Sequence, residues 1–375
     1  MNTAIVPPLL IGIALLSVLV ALRGVAQPVT AAPVVSKLVT IYRLVAALLV
    51  CRLLGVIATG FAMTLITVAM MLIAAWLPLA GLRLVEELTR RHAPRVAKLW
   101  ALCGALGFTF IGLISGIIWS TPALIALALF QAMTVAIMLT LLVRRRSELP
   151  RTERASADTF LIALAATIPL ALSDFDVLVP GLALRGGVFA VLLMVLATSR
   201  LIDGGGVPRR LLADIVFCLA GGAIAALAAN GAMAATGLGI ATTALALLVE
   251  RFARRRTDDG GLIHTLATSN VRDTEALLAS HPLLVNGRII DGAALTNYPE
   301  SAIAALTRYP VVSDATQDQN ARDVARDLLD AHTATHLIRL ASFPPRFLAV
   351  SAGSFATERT RDELTVLAKL IEVPA

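Results

Sequence analysis

Charge, aromatic rings and catalytic motifs are all scarce in this chain. Only 15% of its 375 residues are Asp, Glu, Lys or Arg, and 5% are Phe, Trp or Tyr. Soluble domains carry about 25% charged residues, so a wholly soluble protein is excluded. The three cysteines, Cys51, Cys103 and Cys218, each lie in an apolar stretch without a Cys or His neighbour. That pattern excludes a disulfide framework or a zinc site and leaves small buried hydrophobes. No phosphate-binding loop is present: Gly204-Gly205-Gly206 runs into Val207-Pro208-Arg209-Arg210 where Lys-Ser or Lys-Thr would be needed. Histidine is rare too. His332 and His336 are four apart, but Thr333-Ala334-Thr335 between them lacks the glutamate of a metalloprotease helix. His264, His281, His332 and His336 therefore read as surface or structural residues, and neither a metal nor a cofactor is expected.

What the chain has in abundance is apolar length. Mean hydropathy is +0.83, concentrated before residue 256. The boundary is abrupt: Leu245-Ala246-Leu247-Leu248-Val249 meets Glu250-Arg251-Phe252-Ala253-Arg254-Arg255-Arg256, and an ordinary soluble composition follows. Stretches of about 18 or more apolar residues can cross a bilayer core of ~30 Å as helices. Candidate spans are 4–22, 38–57, 62–82, 99–118, 122–143, 157–175, 186–199, 211–228 and 233–250. The tract 38–82 must fold back, most naturally at Thr59-Gly60, and 211–250 at Asn230-Gly231. Seven to nine spans are compatible with the pattern. The sequence thus predicts a polytopic α-helical membrane bundle over 1–256 and a soluble α/β domain over 257–375.

Basic residues set an orientation. Lys and Arg cluster in every second loop, from Arg23 to Lys37, Arg83 to Lys98, Arg144 to Arg154, Arg200 to Arg210 and Arg251 to Arg256. The intervening loops are nearly free of them, apart from Arg185 at the edge of one. Basic loops stay cytoplasmic, which places the C-terminal domain in the cytoplasm. Met1-Asn2-Thr3-Ala4 precedes the first apolar core without a basic residue, so a retained helix with an outer N-terminus is expected rather than a cleaved signal. Up to Arg256 there are 22 basic and 10 acidic residues, and beyond it 10 basic and 15 acidic. The positive charge belongs to helix ends, so the expected surroundings are membrane lipids and no nucleic acid. The Arg-, Ala- and Leu-rich composition points to a bacterial inner membrane.

A few polar residues interrupt the apolar segments. Asp174 and Asp176, in Ser173-Asp174-Phe175-Asp176, lie at the outer end of a span and could hold a cation or another ligand; a hydrated interfacial loop is the plainer reading. Arg43 and Arg52 fall within a span about 180° apart on a helix, so they cannot line one pore face. Snorkelling accounts for Arg43, and Arg52 joins Asp174 and Asp176 as a candidate ligand-binding residue. Gln131 is expected to bond a neighbouring helix. Trp76, Trp100 and Trp119 are placed near span ends, as interface anchors. No internal repeat of the kind found in many transporters is visible.

In the C-terminal part, 318–333 and 360–373 have helical periodicity. Thr335 to Ala341 and Arg346 to Ser351 read as strands joined through Ser342-Phe343-Pro344-Pro345. Arg272 to Ser280 looks helical and Leu283 to Asp291 strand-like. The segments His336-Leu337-Ile338-Arg339-Leu340-Ala341 and Arg346-Phe347-Leu348-Ala349-Val350-Ser351-Ala352-Gly353 precede the helix Arg361 to Ile371. Together they resemble the closing third of a GAF domain. Behind a multi-span region this is similar to the input half of certain bacterial membrane histidine kinases. No phosphoacceptor helix or ATP-binding domain follows before Ala375, so the resemblance implies a sensor without a kinase of its own. The expected function is a non-enzymatic inner-membrane signalling or regulatory protein, acting on a cytoplasmic signalling partner and able to self-associate. A transporter component and a membrane enzyme for lipid-linked substrates are the alternatives.

Overall fold

A computed structural model describes residues 5–25, 33–89, 91–114, 121–149, 151–174, 185–202, 208–257, 287–296, 298–313, 319–332, 334–350 and 364–368. The chain divides into two compact units, one reaching Arg254 and the other beginning at Arg255.

The first unit is helical. Its elements are α1 (Val6–Val25), α2 (Pro33–Ile57), α3 (Gly60–Thr89), α4 (Arg95–Leu113), α5 (Thr121–Arg145), α6 (Arg151–Leu172), α7 (Gly187–Ile202), α8 (Pro208–Ala228) and α9 (Met233–Thr257). Eight of these, all but α7, are long and apolar enough to cross a membrane. The chain is a multi-pass membrane protein. Helices form because no water reaches a bilayer core, so each backbone N–H and C=O must be satisfied within its own segment.

The turns fall where the backbone can make them. Gly60 opens α3 with φ +58, and Asn230 and Gly231 join α8 to α9 with φ 54 and 80, a left-handed region that glycine enters without steric cost. Proline begins α2 and α8 and stands second in α5, where its missing N–H is not needed. At 30 residues α3 is about 45 Å long and overshoots a bilayer core. The helix contains the expected span of 62–82 and continues past it through Arg83, Glu86 and Glu87, with Trp76 near its middle. At 16 residues, α7 is the opposite case, about 24 Å long.

Lipid is as apolar as leucine, so these helices associate through close packing and polar contacts rather than hydrophobic burial. On α4 the buried stripe is Ala97, Ala101 and Ala105, and the ring of Phe130 occupies the space a side chain on Gly104 would need. The α8–α9 hairpin closes through Gly221, Gly222 and Gly239, where any Cβ would meet the opposite helix. Near the end of α9, Phe252 lies against Gly24 of α1 in the same way. Polar links add to this. Gln131 Nε2 donates to the carbonyl of Ala74 at 3.0 Å, the expected bond to a neighbouring helix. The indole N–H groups of Trp76 and Trp100 donate to Thr109 and Thr134, each at 3.1 Å.

The second unit contains a four-stranded sheet in the order β1-β4-β3-β2, from β1 (Arg288–Ile290), β2 (Val311–Ser313), β3 (His336–Ala341) and β4 (Arg346–Val350). All neighbours are antiparallel, with Leu337 opposite Ala349 and Ile338 opposite Leu348 in the central pair. Side chains alternate across a strand, and both faces are covered. Val312, Leu337, Phe347 and Ala349 share a core with α11 (Glu300–Leu306) and α12 (Gln319–Ala331), following the short α10 (Gly292–Leu295). Val311, Ile338, Leu348 and Val350 pack with Leu364, Leu367 and Ala368, in a helical stretch at 364–368. The expected hairpin and the helix at 319–331 are therefore present. The helix expected at 272–280 lies outside the described residues, as does most of 360–373.

Candidate functional site

A helix too short to span a bilayer has a physical problem at both ends. Its first N–H and last C=O groups lack partners within the helix. The surroundings of α7 supply those partners with side chains from other helices.

At its start, α6 has just ended at Leu172 and presents Ser173 and Asp174. Ser173 Oγ accepts the N–H of Gly186 at 2.8 Å, and Asp174 Oδ1 accepts the N–H of Gly187 at 2.7 Å. The other carboxylate oxygen of Asp174 receives Arg52 Nη2 from α2, and Arg185 Nη1 donates to the Asp174 carbonyl at 2.8 Å. Gly186 and Gly187 are required by this approach: a Cβ on the first would strike Ser173 and Leu170, and on the second the carboxylate of Asp174. Two of the candidate residues read from sequence, Arg52 and Asp174, are thus brought into one cluster. Asp176 lies outside the described residues.

At the other end, the cluster centres on Asp214 of α8, which is 2% exposed. Its carboxylate accepts Arg200 Nε at 2.9 Å and Nη2 at 2.6 Å from α7, and Arg251 Nη2 at 2.9 Å from α9. Arg251 Nη1 also reaches the Ser199 hydroxyl and, at 3.3 Å, the carbonyl of Leu196. Three helices therefore meet on one carboxylate, and α7 gains a donor for a carbonyl in its last turns. Between the clusters, Thr198 of α7 and the Tyr42 hydroxyl of α2 are 2.5 Å apart and buried.

Both carboxylates are engaged by donors, Asp174 by Gly187 and Arg52 and Asp214 by Arg200 and Arg251. Their arrangement suits holding helices together. Among the described residues no three His, Cys, Asp or Glu side chains group to hold a metal.

The remaining sequence candidates lie apart from these clusters. Arg43 is exposed on α2, consistent with snorkelling. Of the cysteines, Cys218 is buried but Cys103 is exposed on α4, which corrects the expectation that all three are buried. Its surroundings would be lipid, and a hydropathy pattern does not separate lipid from protein interior. In the second unit α12 ends at Ala331, so His332 and His336 do not share a helix face. His332 is held below the ordinary histidine pKa, first by burial and then by the charge of Arg288.

Asp214, Arg200 and Arg251 were not singled out by sequence. Arg200 and Arg251 counted among the loop cations, and Asp214 stands four residues from Arg210. A signal was available: Leu211, Asp214, Cys218 and Gly222 form the buried stripe of α8, and a carboxylate within such a stripe demands a basic partner. No protein-family model, curated protein or solved structure matches this chain.

Proposed function

We propose that this is a membrane signalling or regulatory protein without catalysis of its own, in which the helical bundle receives a stimulus and the C-terminal α/β unit delivers the output in the cytoplasm. The observation that carries this reading is the course of α9. It runs without a break from Met233 to Thr257, its inner end is fastened by Arg251 to α7 and α8 and by Phe252 to α1, and it carries the chain past the unit boundary at Arg254. A change in bundle packing that moves the inner end of α9 moves the first residues of the second unit with it. The alternation of basic and neutral loops supports the cytoplasmic orientation. The GAF resemblance of 336–371 supports the sensor reading and implies a soluble signalling partner.

Transport is the second reading, favoured by the charged clusters inside the bundle. Substrate and ion sites of transporters lie near the bilayer midplane, whereas these clusters lie at the two ends of α7, which argues for the regulatory reading. An enzyme for lipid-linked substrates would need carboxylates open to substrate, and Asp174 and Asp214 are both engaged by arginine.

The test compares three strains of the native host: intact, deleted, and expressing residues 1–261 from the normal locus. The truncated protein is expected to insert in the membrane, because its spans insert on their own hydrophobicity, yet to reproduce the transcript profile of the deletion. A wild-type profile with the bundle alone would overturn the proposal and favour transport. A reporter fused after Arg256 that proved extracytoplasmic would overturn the orientation.

A further inference from the structure

We propose that α7 is the transmitting element of the bundle: a short buried helix clasped at its outer end by Arg52 and Asp174 and at its inner end by Asp214 and Arg251, so that loosening the outer clasp releases the inner end of α9. The proposal rests on the regulatory reading for its purpose, but its mechanics can be measured without knowing stimulus or output.

Three features carry it. The first is continuity. Both clasps act on the same 16 residues, and a helix of about 24 Å moves as a rigid piece rather than bending residue by residue. The second is isolation from solvent and lipid. Val188, Ala190, Leu192, Val195, Leu196, Ala197 and Leu201 are buried, so α7 is gripped along its length by its neighbours and a displacement at one end cannot dissipate into a soft surface. The third is the chemistry of the clasps. Polar groups at the ends of α7 are tied to side chains of other helices, so each clasp is made or broken as a set of specific hydrogen bonds. A buried ion pair is often no more stabilising than apolar groups of the same size, which suits a contact that must be released. The outer clasp is the more accessible: side-chain exposures are 31% and 15% for Arg52 and Asp174, against 10% and 3% for Arg251 and Asp214. A stimulus arriving from the outer face meets that clasp first.

The experiment is amide hydrogen exchange on the full-length protein in lipid nanodiscs. Exchange is followed at the inner end of α7 (196–202), at the inner end of α9 (248–257) and, as a control, in α4 (95–113), which neither clasp touches. Asp214→Asn breaks the inner clasp directly. Asp174→Asn breaks only the outer one. Each is expected to speed exchange at 248–257 by about threefold or more, the scale of coupling between distant sites, with α4 unchanged. Coupling is reciprocal in equilibrium terms, so Asp214→Asn should also speed exchange at 186–190. The proposal is overturned if Asp174→Asn alters only the residues around 170–190. It is equally overturned if exchange rises throughout, α4 included, because the clasp would then be merely structural. Should Asp174→Asn fail to fold, Arg52→Gln, which leaves Asp174 on Gly187, is read by the same criteria. A positive exchange result with an unchanged output in the truncated strain would retain the transmission and discard the regulatory role.

Discussion

Each of the two units of this protein is held together internally by its own balance of contacts. In the sheet unit, residues such as Leu337, Ile338, Phe347 and Leu348 are fully buried, and the driving force is removal of apolar surface from water. In the helical unit, large apolar side chains face both ways: Leu227 is 81% exposed and Phe217 62%, while Leu38, Leu82, Leu211 and Phe160 are buried. Its interior adds close approaches at alanine and glycine to these buried side chains and is fastened by Asp174, Asp214, Gln131 and threonine. The same residue type therefore carries different energetic weight on either side of Arg254. A leucine on the outer surface of the first unit contributes little by burial, whereas Leu337 and Leu348 of the second are removed from water.

The largest expected effect follows from removing Asp214. Asp214→Ala leaves Arg200 and Arg251 without their shared carboxylate. Breaking a buried pair from one side costs about 3–5 kcal/mol, and a clear drop in thermal unfolding temperature of the detergent-solubilised full chain should report it. A melting curve superimposable on wild type would break the contrast at its strongest point. Next comes Leu337→Ala in the sheet unit, at about 2–5 kcal/mol, seen as increased proteolysis between 287 and 350 with the helical unit left intact. A smaller effect concerns pH. His332 has a lowered pKa, so its neutral form is favoured in the folded state, and stability present above the ordinary value of 6.5 is lost as pH falls through it. Amide protection of 319–350 should weaken in mildly acidic buffer, and His332→Leu should remove part of that dependence; equal pH profiles for the two proteins would refute it. The smallest effect sharpens the comparison most. Leu227→Ala, despite deleting as many atoms as Leu337→Ala, should leave stability within about 0.5 kcal/mol, since its side chain trades one apolar solvent for another.

Much of the fold was legible in the sequence because its signals are local. The apolar tracts, the folds at Gly60 and at Asn230-Gly231, and the hairpin from 336 to 350 all depend on residues within a few positions of one another. The candidate site was only half legible for the same reason. Arg52 and Asp174 each stood out as charges near an apolar span, but their pairing across 122 residues is set by which helices are neighbours, and hydropathy says nothing about that. Asp214 was concealed differently. It falls inside the expected span 211–228 at helical spacing from Leu211 and Cys218, but its partners Arg200 and Arg251 sit on two other helices, and hydropathy does not pair them. Lipid exposure was likewise invisible, as Cys103 shows.

The contact of Phe252 with Gly24 has a consequence for how the protein is made. The notch at Gly24 leaves the ribosome with α1, and the ring that fills it follows 228 residues later. At typical synthesis rates that interval is about 10–45 s. During it α1 must remain in the membrane beside helices that already pack, with one site on its surface unfilled. The bundle therefore cannot close in the order in which it is threaded: α1 is completed by α9, and a chain interrupted before α9 would carry an open notch for quality-control proteases to find.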